Sequence, residues 1–381
     1  MAFLQGVTDD ADESLGYRFP TWAPNGRHIA FLGPRSNQLA LYLTATDTPQ
    51  PTLLYRSPVA SPFYLYWSPN SEDLTFLTQE QSGLSMRLVN INDEDKERII
   101  GRGAPFYWSW APKSDRLLMH VGGAQANSSQ AHLSVLDNKT GAKREQLSLA
   151  PGQFQAPVWS SDGRYAFYVA EDEERADAIF RMDMRDFSQE KLIQLEGIGR
   201  TFIVVSPDNK HLAYLEADVN RPVPLGVPYL IDIDGNNRHQ ITPRTVMSMY
   251  WSPDGSKLAL LTAGLNEEEP SIQHPALKRQ PGLAAPLPQN LSFRWWSYTL
   301  TDENINQLIK INPTTDFMQT VPYFDQYHLS LSFWSPDSRY LVVTSQRAQD
   351  NEDSDVIVLD TTFVDGEKRI GAGRMAVWSW R

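Results

Sequence analysis

One pattern of apolar and polar positions recurs along this chain. A short alternating stretch ends in Trp, a polar turn rich in Ser, Pro, Asp and Gly comes after it, and an apolar run comes next. The copies begin at Trp22 (WAPNGRHIAFL), Trp67 (WSPNSEDLTFL), Trp110 (WAPKSDRLLMH), Trp159 (WSSDGRYAFYV), Val205 (VSPDNKHLAYL), Trp251 (WSPDGSKLALL) and Trp334 (WSPDSRYLVVT). They succeed one another every 43–49 residues, except for one interval of 83, and a partial eighth copy, Trp378-Ser379-Trp380, closes the series. In Ser-Pro-Asp-Gly the Pro presets φ, the Asp bonds nearby backbone and the Gly accepts a backbone conformation that other residues resist, so a tight turn is expected. The flanks alternate as strands do, as in Ile29-Ala30-Phe31-Leu32 and Leu258-Ala259-Leu260-Leu261. A third strand is present in most copies (Leu41–Leu43, Leu133–Leu136, Val356–Leu359), and then a short fourth (Arg98–Ile100, Leu192–Leu195). Four antiparallel strands in each repeat of this length predict an all-β chain made of β-propeller blades.

The recurring Trp fits that reading. A blade buries little by itself, and a large ring at the end of each inner strand fills the space between neighbours. The WSPDG turns resemble those of the TolB-like propellers, a group also described by WD-like β-propeller repeats, and the resemblance runs from about Tyr17 to Trp380. It implies the fold. It does not carry over the Tol-system role, because TolB has six blades, an amino-terminal domain and a signal peptide, whereas this sequence shows seven full copies. We expect a single propeller of seven four-stranded blades, with eight as the alternative, closed by pairing of the terminal strands. Tyr17–Trp22 and Arg374–Ser379 compete for one slot. Pro20 removes a ladder donor, which favours the carboxy-terminal segment as the inner strand.

The expected organisation is an acidic extension over 1–16 and a propeller over 17–381. The long interval is read as one blade carrying a Pro-rich insertion at about 264–291, either a binding loop or a lid or tether over one face. A second unusual stretch, Val321-Pro322-Tyr323-Phe324-Asp325-Gln326-Tyr327-His328, leads into the last full copy. It is expected to form either a rim pocket at the channel mouth or a cap on the inter-blade core.

Composition narrows the function. With 34 Lys+Arg against 46 Asp+Glu the formal net charge is −12, which argues against nucleic acid as a partner. There is no Cys, so disulfides, thiol catalysis and Cys-ligated zinc are excluded. No apolar run is long enough to suggest membrane insertion, and the acidic start lacks the features of a signal peptide. The expectation is a cytoplasmic protein as written, or a periplasmic or extracellular one if an export signal has been removed.

Catalytic motifs are missing. The sequence has no Gly-x-Ser-x-Gly elbow and no phosphate-binding Gly-rich loop, and nothing in it implies a cofactor. His28, His120 and His211 fall on or beside second strands and read as ordinary strand residues. Asp232–Asn237 lacks the third acidic position and the terminal Glu of a calcium loop and reads as a hairpin turn. One constellation remains. Arg18, Arg56, Arg102, Arg200, Arg244 and Arg374 precede inner strands, and the other junctions offer Gln153 with Gln155 and Gln326-Tyr327-His328. If those connections ring one channel mouth, Arg18, Arg102, Arg200, Arg244, Arg374, Gln155, Tyr327 and His328 are candidate ligand-binding residues for a small anion. The leading expectation is a monomeric, non-catalytic interaction module that presents one rim to a protein partner. The alternative is a binder of, or enzyme acting on, a small anionic molecule in the central channel.

Overall fold

The computed structural model describes residues 16–36, 38–81, 83–103, 106–122, 132–138, 144–146, 155–174, 176–195, 199–218, 225–265, 291–347, 350–363 and 366–381. Every repeat turns its alternating pattern into an antiparallel meander. The first sheet runs Arg18–Trp22, His28–Arg35, Gln38–Ala45, Thr52–Tyr55, and the second runs Pro62–Trp67, Asp73–Glu80, Gly83–Asn90, Asp93–Gly103. The third is Phe106–Trp110, Arg116–Val121, His132–Asp137, Arg144–Gln146, and the fourth is Val158–Trp159, Tyr165–Glu171, Asp177–Asp183, Gln189–Gln194. The fifth and sixth sets, led by Gly199–Val205 and Val246–Trp251, are joined into one sheet by the single pair Gly226↔Val246. The last sheet has three strands, Tyr340–Arg347, Asp350–Asp360 and Glu367–Ala372, and its motif Trp334 adds one bridge to Leu341.

The core lies between neighbouring sheets. Leu32 and Leu41 of the first sheet pack with Trp67, Leu74 and Phe76 of the second. Leu77 and Met86 of the second meet Trp108, Trp110 and Leu117 of the third, and the series continues around the molecule. From Trp67 onward, the indole N–H of the motif Trp reaches the preceding set. Trp67 donates to Thr21 O at 3.1 Å, Trp159 to Ser109 O at 3.2 Å, Trp251 to Val204 O at 3.1 Å and Trp334 to Tyr250 O at 2.9 Å. Each acceptor directly precedes the motif position of the neighbouring copy. Trp110 makes the same link through a relay: its indole donates to Thr75 Oγ1, which donates to Tyr66 O.

The turns form a second belt. The fifth residue of each copy is left-handed: Gly26, Ser71, Ser114, Gly163, Asn209, Gly255 and Ser338. Glycine takes that conformation freely, whereas other residues are strained there. Where the residue is not glycine, its side chain caps the turn before it. Ser71, Ser114, Asn209 and Ser338 accept from the backbone N–H of Asn25, Asn70, Ser161 and Asp254 respectively. At Gly255 a Cβ would lie 2.9 Å from Asp208 Cγ, so close packing demands the missing side chain.

Two expectations about the termini are corrected. Among the described residues no sheet closes on itself, and the terminal strands do not pair. Arg18–Trp22 is the inner strand of its sheet, and a bulge between Arg18 and Thr21, with Phe19 at φ 50°, accommodates the missing donor of Pro20. The carboxy-terminal segment forms no strand. It lies as a wedge, with Ala376 and Trp378 on the last sheet and Trp380 on the first. Trp378 N–H donates to Ser332 O, and the Trp380 indole donates to Trp22 O at 3.0 Å. The sixth set's second strand, Lys257–Leu265, pairs directly with its third, Leu291–Thr299, through Leu265↔Leu291. Residues 266–290 of the expected insertion lie outside the described residues, as does most of the 1–16 extension.

Candidate functional site

The inner strands of such an array have one free edge each, and their unpaired backbone groups need partners. A single segment supplies several of them. Between Ile311 and Phe333 the chain forms helix α1 (Thr315–Thr320), a 3₁₀ turn (Val321–Tyr323) and helix α2 (Phe324–Tyr327). Thr314 caps α1 by accepting from Phe317 N–H, and Pro322 starts the 3₁₀ turn, where its missing N–H costs nothing. Phe317, Val321 and Phe324 recur at helical spacing and are all buried.

This segment fills the axis. Gln326 pairs with the strand edge at Trp108: its Oε1 accepts from Trp108 N–H at 2.9 Å and its Nε2 donates to Trp108 O at 2.8 Å. The Tyr64 hydroxyl, on the second sheet's inner strand, donates to Gln326 O at 2.9 Å. Asp325 Oδ2 accepts from Ala156 N–H at 2.9 Å, just ahead of the fourth sheet. Phe324 stacks on Phe202 of the fifth set and lies edge-on to Tyr250 of the sixth. Tyr327 stands edge-on to Tyr64 at 4.8 Å, and Thr21 of the first sheet donates to Ser330 O at 2.7 Å. With Phe333 leading into the last sheet, one segment touches every repeat.

Asp325 is the unusual group here. It is fully buried, and its Oδ1 has no hydrogen-bond partner. Burial raises its pKa to about 6, opposed by the Ala156 N–H and by the Arg200 guanidinium. Burial also lifts the Tyr107 phenol well above its usual range and pushes His328 down to about 4. The His328 Nδ1 is buried without a hydrogen-bond partner.

Four candidate residues meet at this axis. Gln155 is buried beside Ala156 and donates to Val169 O at 3.2 Å. Arg200 lies over the Phe202 ring at 4.7 Å, with Nη2 3.5 Å from the Tyr107 hydroxyl. Tyr327 and His328 belong to the axial segment itself. The other four are placed apart. Arg102 is on the outermost strand of its sheet, 59% exposed and paired with Glu80 at 2.9 Å, so it is not at the channel mouth. Arg244 lies over the Trp296 ring at 4.4 Å. Arg374 is exposed, and its carbonyl accepts from Thr314. Arg18 is half-buried on the first inner strand. Of the further junction residues, Arg56 is exposed and Gln153 lies outside the described residues. Asp232–Asn237 folds as a turn, with Asn237 Nδ2 donating to Asp232 Oδ2.

Sequence reasoning had the segment 321–328 in view but missed Asp325 and Gln326 as its anchors. The signal was available: the helical 317-321-324 spacing inside a linker far longer than the other connections from one sheet to the next. Beside Phe317 a cavity of ≈ 10 Å³, lined by apolar groups such as Trp295, Phe333 and Val343, has room for about one water. Among the described residues no group of three or more His, Asp or Glu is placed to hold a metal ion, and no helix is long and apolar enough to cross a membrane.

No established protein family matches the chain. The flagellar assembly factor FliW of Carboxydothermus hydrogenoformans is 28% identical over 115 residues, which is 29% of this chain and 75% of that protein. Among solved structures, oligogalacturonate lyase from Vibrio parahaemolyticus is similar over 95% of this chain and 87% of its own, with a TM-score of 0.56 and 11% identity. A TolB homologue from Agrobacterium tumefaciens has a TM-score of 0.45 and 18% identity, over 63% of this chain and 87% of that one. The likeness is one of fold alone, and the fold is a β-propeller.

Proposed function

We propose that the chain is a seven-bladed propeller acting as a non-catalytic interaction module, and that the rim carrying the axial segment faces a protein partner. The observation that carries this reading is the occupied axis. A channel whose strand edges are bonded by the chain's own Gln326 and Asp325 offers little room for a substrate, so recognition falls to the loops around it. The opposite rim is made of short turns tied to one another by Ser71, Ser114, Asn209 and Ser338. The axial rim carries the longer connections, and Val59 (82% exposed) and Tyr323 (45% exposed) stand out from it. In this reading the propeller is monomeric, and the carboxy-terminal wedge completes the ring between the last blade and the first.

The second reading is a small anion held at the axis. Arg200 favours it, because its guanidinium sits beside a phenol hydroxyl at the channel mouth. A pull-down of the intact protein from its native cells, analysed for proteins and small molecules, separates the two. The comparison is Arg200→Ala, which removes the candidate arginine placed at the axis. A stoichiometric protein partner retained by the variant supports the interaction module. A bound anionic molecule that the variant loses overturns it in favour of the channel.

A further inference from the structure

We propose that the axial segment Thr315–Leu331 is a proton-sensitive plug, docked while Asp325 is protonated and loosened when Asp325 ionises. The inference concerns how the axis is kept filled, and it holds whether or not a partner binds the rim. The attachments of the segment are of a releasable kind. None of its polar attachments is a continuous ladder; each is a side chain on a strand edge or a single bond, as at Trp108, Ala156, Tyr64 and Thr21. The docked position also leaves one buried carboxyl oxygen unbonded, a cost that grows when the group carries charge.

The groups that face Asp325 come from every neighbouring element. Arg200 approaches from the fifth set and Tyr107 from the third sheet, while His328, the cap after α2, bonds the Asp325 main chain and Gln155 lies beside Ala156, just ahead of the fourth sheet. Tyr107 is held far above neutral and His328 is held at about 4, so neither titrates between pH 5 and 8. Asp325, at about 6 when docked, does titrate there. Its docked pKa is raised, so docking is fully favoured below the ordinary carboxyl value and loses strength as pH rises through 6. A change of about two pKa units between docked and released states corresponds to roughly a hundredfold change in the docking equilibrium.

Hydrogen exchange on the intact chain at pH 5 and pH 8, with rates corrected for intrinsic exchange, tests the plug. The expected result is about a tenfold loss of protection over 315–331 at pH 8, the part of the hundredfold change that falls above pH 5, while strands such as Lys257–Leu265 keep theirs. Asp325→Asn should show equal protection at both values. Arg200→Gln, which removes the charge favouring the ionised form, should enlarge the loss at pH 8. Equal protection of the wild type at both pH values, a loss that persists in Asp325→Asn, or a loss spread evenly over all strands would each overturn the proposal.

Discussion

Replacing Gln326 with Leu isolates what the axial segment contributes to the fold. The two side chains are close in size, so the change removes hydrogen bonds while leaving little void. Trp108 loses both partners on its free edge, the acceptor for its N–H at 2.9 Å and the donor to its carbonyl at 2.8 Å. The position is 2% exposed, so water does not replace them readily. A buried backbone group left without a partner costs about 1–3 kcal/mol, so the two together should destabilise by about 2–6 kcal/mol. Tyr64 keeps its bond to the main-chain oxygen of residue 326. Gln326→Glu is the informative companion. When ionised it can still accept from Trp108 N–H but sets an oxygen against Trp108 O, so it should be worse at pH 8 than at pH 4.5. Urea unfolding monitored by Trp fluorescence reads both. A Gln326→Leu midpoint within about 0.5 kcal/mol of wild type would refute the claim that this residue seals the strand edge.

Other expectations rest on the same contacts. Ser338→Ala keeps the left-handed strain and loses the bond from Asp254 N–H, costing about 1–2 kcal/mol, whereas Ser338→Gly removes both and should stay near wild type in the same unfolding assay. Trp251→Ala removes a buried ring and its bond to Val204 O, and should cost about 3–5 kcal/mol in thermal or urea unfolding. Asp325→Asn should be more stable than wild type at pH 8 by up to about 3 kcal/mol, because a carboxyl raised to about 6 weakens the folded state once it ionises; the gain should vanish below pH 4. Arg339 holds Asp360 down at about 2, so that pair's contribution is present at neutral pH and lost as pH falls from 4 toward 2. Arg339→Gln should therefore flatten the acid-unfolding curve over that range.

The repeat was legible in the sequence because it is local. The Trp, the turn residues and the alternating run sit within a dozen positions, and each obeys its own short-range rule. The same holds for the hairpin at Asp232–Asn237, where Asn237 returns a bond to Asp232. What depended on the far side of the ring was not legible. Pro20 looked unfit for an inner strand, yet a bulge at Phe19 absorbs it, and no local rule announces a bulge. Trp378-Ser379-Trp380 imitates a strand end but lies between two sheets, because the space there is set by residues more than three hundred positions away. The arginines share a sequence position relative to the strands but not a register. Arg102 therefore ends beside Glu80 on an outer strand, while Arg200 reaches the axis. Asp325 and Gln326 read as linker residues until the strand edges they bond to are in view.

Amide exchange at Trp108 and Ala156 decides whether the axis is filled. Both N–H groups lead toward the axis and are bonded by side chains of the axial segment, Gln326 and Asp325. A filled axis predicts that at pH 5 both exchange as slowly as amides inside the strand ladders, and that Gln326→Leu releases Trp108. Exchange of both at the rate of a bare strand edge in the wild-type chain would show an open channel, the opposite of what these bonds require.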